Sequence, residues 1–144
     1  MQQTLYFAYG SNLDRTQMTE RCPSATEKSK AVIPGYRFII NSRGVASVVV
    51  DESALAEGLL WNLTKNDEER LDRYEGVSNG HYEKHWLDVI LPNEVQTKAL
   101  VYIATISDIG KPRPGYLEKI IDAAKCLEMS SSYIEHLQRW HRDA

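Results

Sequence analysis

The chain reads as an α+β domain, a small mixed β-barrel flanked by helices. Two observations carry this. Short runs rich in β-branched and large apolar residues crowd the middle of the sequence, and six or so short, twisted strands of that kind tend to close on themselves. After Pro112-Arg113-Pro114-Gly115 the hydrophobic period becomes helical, so helices flank the strands instead of alternating with them. At 144 residues the chain is expected to form one domain, residues 1–144, able to bury its own core.

Residues 5–9, Leu-Tyr-Phe-Ala-Tyr, form the first strand, apolar on both faces and so expected to be central. A short helix begins near Leu13 and ends near Cys22-Pro23, because proline disfavours helix at the residue before it. Residues 30–33 and 36–40 are strand segments either side of Pro34-Gly35, a bend or edge feature. Residues 47–50 and 57–63 add two more strands. Thr64 caps a helix whose first turns carry Asp67, Glu68 and Glu69, which suit the positive end of the helix dipole. That helix carries Leu71 and Tyr74 and stops at Glu75-Gly76, where glycine suits a C-terminus. Asn79-Gly80 marks a turn. Residues 81–91 and 97–104 are two long strands joined as a hairpin through Pro92-Asn93-Glu94. Leu117, Ile120, Ile121, Ala124 and Leu127 share one face of the next helix. Ser132 with Glu135 reads as a capping box for a last helix carrying Tyr133, Leu137 and Trp140.

Several function classes drop out on composition. A formal charge of −3 with no Lys/Arg stripe argues against nucleic acid. No apolar stretch is longer than a strand, so no membrane span is expected. Met-Gln-Gln-Thr has no basic region ahead of an apolar segment, so no signal peptide is read and a cytoplasmic location is expected. Cys22 and Cys126 are expected to be free, buried thiols.

The most informative stretch is Tyr9-Gly10-Ser11-Asn12-Leu13. A strand that breaks at a glycine and two small polar residues and then enters a helix makes an anion site, because loop and helix-terminal N–H groups converge. Gly10 removes a Cβ from the approach, and Ser11 or Asn12 can cap the helix. From the residues alone, a capped junction without a ligand serves equally well.

Glu75 is the second feature. A carboxylate at a helix C-terminus faces the unfavourable end of the dipole, which raises its pKa. That suits a general acid or base working near neutral pH, although Glu75 is also one of 20 acidic residues. The histidines make no metal site: His81 and His85 fall in a strand, where an interval of four separates them, and His136 and His141 do not stack on a helix. Ser11 lacks the Gly-x-Ser-x-Gly elbow, and the glycines lack both nucleotide-binding signatures. Tyr116, opening a helix after Pro114-Gly115, is either a core anchor or a pocket hydroxyl.

Together these blocks resemble the γ-glutamylcyclotransferase family, whose fold is shared with AIG2-like and BtrG-like proteins. The resemblance rests on Tyr6-Phe7-Ala8-Tyr9-Gly10-Ser11-Asn12-Leu13, on Leu71-Asp72 and Glu75-Gly76-Val77 with Gly80 and Tyr82, and on Pro112, Pro114 and Tyr116. It implies a barrel whose mouth holds the site. It also implies cleavage of a small-molecule γ-glutamyl amide without water: the substrate's α-amine attacks its δ-carbonyl, releasing 5-oxoproline and an amine or amino acid. Glu75 would be the acid/base, and Tyr9, Gly10, Ser11, Asn12 and Leu13 the substrate loop, with Tyr116 beside it. No metal or cofactor is expected. The alternative is a non-catalytic domain that uses the same loop to hold a γ-glutamyl or carboxylate ligand.

Overall fold

The computed structural model describes residues 3–142, with side chains described to Trp140, so the side chain of His141 lies outside the described residues. The chain runs β1 (Thr4–Ala8), α1 (Arg15–Arg21), β2 (Thr26–Ile40), β3 (Ala46–Leu63), α2 (Lys65–Tyr74), β4 (Tyr82–Ile90), β5 (Gln96–Ala104), α3 (Tyr116–Cys126) and α4 (Ser131–Arg142). The five strands close into a barrel in the order β1-β3-β2-β4-β5. β1, expected to be central, has a neighbour on each side, as every strand of a closed barrel does. It runs antiparallel to β3, from Thr4↔Leu63 to Ala8↔Leu59, and parallel to β5 at Tyr6↔Leu100. Phe7, Phe38, Leu60 and Leu100 are fully buried in the core, and the predicted face of α3 packs into the same cluster.

Two pairs of expected strand segments are single strands. Residues 30–33 and 36–40 both belong to β2, and residues 47–50 and 57–63 both belong to β3. Pro34-Gly35 bends the ladder without ending it. Pairing jumps from Pro34↔Leu55 to Tyr36↔Val50, and Gly35 takes a positive φ of 83° there. Residues 51–54 had no apolar run to mark them as strand.

Helix starts differ from expectation at two places. Neither Ser11 nor Asn12 caps α1. Residues 11–13 form a 3-10 turn, and Asp14 caps α1 by accepting from the N–H groups of Thr16 and Gln17. Ser132 is not the cap of α4 either. It lies inside the helix, and Ser130 Oγ accepts the Tyr133 N–H at 3.3 Å. The Ser130 N–H donates to Glu57 of β3 at 3.1 Å, so a residue distant in sequence takes the place of Glu135. By contrast Thr64 caps α2 in a full capping box with Asp67. The cysteines are both free, but only Cys22 is buried; Cys126 is exposed on α3, against expectation. No helix among the described residues is long and apolar enough to cross a membrane.

Candidate active site at the barrel mouth

Several chain segments converge at one end of the barrel: the residues after β1, the β2–β3 turn, the end of α2, the start of β4, the end of β5 and the start of α3. They enclose a cavity of about 310 Å³. Of the residues singled out from sequence, Tyr9, Gly10, Ser11, Asn12, Glu75 and Tyr116 line it. Leu13 does not. Its side chain is buried in the core, and its N–H is spent on the Gly10 carbonyl at 2.9 Å.

The loop's donors are fewer than the sequence suggested. The Asp14 carboxylate occupies the α1 N-terminus, so that helix end is closed to another anion. The first bond of the 3-10 turn is Leu13 N–H to Gly10, and Asp14 N–H follows to Ser11 at 3.2 Å. Ser11 and Asn12 therefore present the N–H groups that precede the turn's own ladder. Gly10 eases the packing here: a Cβ would crowd Ala46 Cβ at 3.2 Å and come into ordinary contact with the Tyr116 hydroxyl at 3.6 Å.

Asn12 is almost wholly buried, and its amide is fixed from both ends. Its nitrogen donates to the Tyr6 hydroxyl at 3.0 Å. Its oxygen accepts from Gln17 at 3.2 Å and from the Arg21 guanidinium at 3.1 Å. Arg21 also lies over the Tyr74 ring, 4.7 Å from its centroid.

Glu75 is placed by the end of α2. Its N–H closes the last helical turn onto Leu71 at 2.8 Å, and Gly76 follows at φ 63°, a conformation that glycine adopts without a Cβ penalty. The residue is half-buried, but its carboxyl end is enclosed, and that desolvation pushes its pKa up to about 7. The Arg21 charge pulls the other way. Burial, not the helix end invoked from sequence, is thus the leading cause. Among the described residues no hydrogen bond is made to this carboxyl group, so its oxygens are free to face a ligand.

The tyrosines divide by what happens to their protons. Tyr9 donates to the Tyr102 carbonyl at 2.6 Å, Tyr82 to the Ala46 carbonyl at 2.7 Å, and Tyr102 to Asp72 at 2.7 Å. Tyr6 and Tyr116 instead accept, from Asn12 and from the Ala46 N–H at 2.9 Å. Their own O–H groups are left to donate into the cavity. Burial pushes the Tyr116 hydroxyl up to about 12, so it stays protonated at neutral pH.

Sequence reasoning missed three cations on the cavity wall, Arg21, Arg43 and Arg113, together with Tyr74, His81 and Tyr102. Tyr6 and Tyr82 had entered only as letters of a motif. No group of three or more His, Cys, Asp or Glu residues is gathered for a metal ion among the described residues.

A closed five-stranded barrel with four helices and a cavity at its mouth is the γ-glutamylcyclotransferase type of fold. A solved structure of a gamma-glutamyl cyclotransferase matches it with a TM-score of 0.88 at 26% identity, covering 95% of this chain and 87% of that one. YkqA from Bacillus subtilis shares the fold, with a TM-score of 0.83 at 24% identity over 96% of this chain and 54% of its own. The chain belongs to the AIG2-like family, which matches residues 56–137, a segment that contains Glu75, Tyr82 and Tyr116. Gamma-glutamylcyclotransferase from Homo sapiens is 28% identical over 93% of this chain and 77% of its own length. The Bos taurus protein of the same name is also 28% identical, over 84% and 70%. These relatives support the cyclotransferase class of enzyme.

Proposed function

We propose that the protein cleaves a γ-glutamyl amide by internal cyclisation, releasing 5-oxoproline and a free amine or amino acid. One observation carries the reading: an unpaired, desolvated carboxyl, Glu75, shares a small cavity with the N–H groups of the loop at 10–12.

The substrate's α-carboxylate docks at the Ser11 and Asn12 N–H groups. Its α-ammonium cannot attack until it loses a proton, which passes to the Glu75 carboxylate. The freed amine nitrogen bonds to the δ-carbon, closing a five-membered ring and placing negative charge on the former carbonyl oxygen. The Tyr116 or Tyr6 O–H, each with its proton unspent, donates to that oxyanion. The bond to the leaving nitrogen then breaks as protonated Glu75 gives that nitrogen its proton, and the carboxylate so regenerated takes the second proton from the ring nitrogen and passes it to the released amine, which departs as an ammonium. Atoms balance without water. A pKa near 7 lets one carboxyl take the proton and give it back at neutral pH. Because nucleophile and electrophile belong to one molecule, holding the folded conformer is a large part of catalysis.

The test is to incubate the protein with γ-glutamyl amino acids, γ-glutamylamines and glutathione and to assay 5-oxoproline. Stoichiometric 5-oxoproline from any of them is the expected result. Binding without 5-oxoproline would leave a non-catalytic binding domain instead.

A further inference from the structure

Glu68, Asp72 and Glu75 follow one another at intervals of four and three, which puts all three carboxylates on one face of α2. Glu75 keeps a helical conformation at the end of α2, so its side chain continues that face. The first two carboxylates are partnered by the barrel. The Lys84 ammonium of β4 bonds to Glu68 and, at 3.2 Å, to Asp72. Thr4 of β1 donates its hydroxyl to Glu68 at 2.6 Å, and Tyr102 of β5 donates to Asp72 at 2.7 Å. Among the described residues the Glu75 carboxyl has no such partner.

Helix α2 is tied down differently at its two ends. Near its start Asp67 completes the capping box, and Arg70 Nε donates to the Arg21 carbonyl at 2.6 Å. In the last turn, residues 71–75, Asp72 alone among the described residues hydrogen-bonds to the barrel through its side chain. The side chains of Glu68, Lys84 and Asp72 are 21%, 26% and 31% exposed, shielded enough to hold a geometry that a fully exposed pair would not. Tyr102 lines the cavity, in edge contact with the Tyr6 ring at 5.7 Å. Burial first, then Asp72, and Glu75 as well, keep the Tyr102 proton in place, so one hydroxyl feels both carboxylates.

On the cyclotransferase reading, we infer that Asp72 is a positioning residue for Glu75: pinned by Tyr102 and Lys84, it seats the last turn of α2 on the barrel and holds the free carboxyl inside the cavity. Asp72 does not line the cavity itself. It acts through the helix, one turn from Glu75, and not on the substrate.

The test reads the Glu75 carboxyl directly. Its titration is followed by carbon NMR in glutamate-labelled protein, the signal being assigned by its loss in Glu75→Gln, beside kcat and KM for a γ-glutamyl amide. The groups in electrostatic contact with Glu75 are Arg21 of α1 and the hydroxyls of Tyr6, Tyr9, Tyr82, Tyr102 and Tyr116, which burial keeps protonated. Arg43, Arg113, His81 and Tyr74 share the cavity wall. In wild type the carboxyl titrates near 7. Asp72→Ala should admit water to it, moving that value towards the 4.5 of an ordinary glutamate. It should also lower kcat on the order of tenfold to hundredfold with KM little changed. Lys84→Met, which leaves Glu68 and Asp72 to repel each other, should shift the titration the same way. Asp72→Asn, whose amide oxygen still accepts from Tyr102, should recover much of both readouts.

A direct charge effect gives the opposite pattern: both Asp72 variants would lower the titration equally, and Lys84→Met would raise it. That pattern overturns the inference. So does a titration that stays near 7 in Asp72→Ala, or a loss carried by KM. If Asp72→Ala does not fold, Lys84→Met and Asp72→Asn decide on the same terms. If wild type turns over no γ-glutamyl amide, the cyclotransferase reading falls, and the titrations still decide whether Asp72 holds Glu75.

Discussion

Asn12 donates to the Tyr6 hydroxyl at 3.0 Å across a turn in which both side chains are almost wholly buried. Six positions apart, they join the first strand to the loop that follows it. Because Asn12 Oδ1 also accepts from Arg21 and Gln17, one amide sets the relative positions of β1, the loop and α1. The side chain that looked like a helix cap from the sequence is the hub of the loop.

Replacing Asn12 with leucine should therefore cost stability as well as loop geometry. The Tyr6 hydroxyl loses its donor and the Arg21 guanidinium an acceptor. A buried polar group stripped of its partner costs about 1–3 kcal/mol. Adding Tyr6→Phe to Asn12→Leu removes the stranded hydroxyl, so the two changes should couple by roughly 0.5–1 kcal/mol. Denaturant unfolding of the two singles and the double checks this. Strict additivity would show that the bond contributes nothing.

Tyr116→Phe tests the hydroxyl that accepts from Ala46. If its proton serves the reacting oxygen, kcat/KM should fall at least about tenfold, towards the effect of losing one oxyanion donor. The Ala46 N–H also loses its acceptor, at about 1 kcal/mol of stability. Tyr82→Phe is the contrast, because its proton is already spent on a backbone carbonyl: stability should drop by a similar amount with little change in rate. Equal rate losses in the two variants would count against a role for Tyr116 in the chemistry.

Gly58→Ala addresses the barrel rather than the site. A Cβ there would lie 2.4 Å from the Ala8 carbonyl oxygen and 2.6 Å from the Phe7 ring, beside the Ala8↔Leu59 end of the β1–β3 ladder. Neither backbone nor a fully buried ring can give way cheaply, so destabilisation should reach about 1–3 kcal/mol or more. Thermal unfolding of Gly58→Ala beside Gly80→Ala separates crowding from strain. Gly80 has open space around it, and its penalty arises from a φ of 74° alone.

Much of this was legible in the sequence where physics is local. Thr64 and Asp67 announced the start of α2, Gly76 its end, and the 3.6-residue period the buried face of α3. What failed was decided at a distance. Glu57, far along the chain, caps the start of α4 where Glu135 was expected, and a bulge at Gly35 fuses segments that look separate. The cavity arginines illustrate the same limit. Arg21 ends a helix, Arg43 sits in a turn and Arg113 in a loop, which are ordinary places for surface cations. Only barrel closure brings them to one cavity. Glu75 could be picked out by its position at a helix end, but burial, which sequence does not report, is the main reason for its raised pKa.

That raised pKa links activity and stability through one group. In the folded protein Glu75 titrates near 7, against 4.5 for an ordinary glutamate. Between those values the native state holds a proton that the unfolded chain has lost, so the contribution of Glu75 to stability is greatest below about pH 4.5 and falls as pH rises to about 7. The loss is on the order of 3 kcal/mol at most. Activity should run the other way, because only the deprotonated carboxyl can accept the ammonium proton. kcat/KM should climb through an apparent pKa near 7 on its acid limb. Glu75→Gln removes both dependences: turnover should drop by about 10²–10⁴-fold, and the variant should be more stable than wild type at pH 8, with the gap closing towards pH 5. Unfolding curves and pH–rate profiles on the two proteins check this together. A Glu75→Gln protein with near wild-type turnover would remove Glu75 from the mechanism. A stability gap that does not change with pH would mean that the carboxyl is better solvated than its enclosure implies.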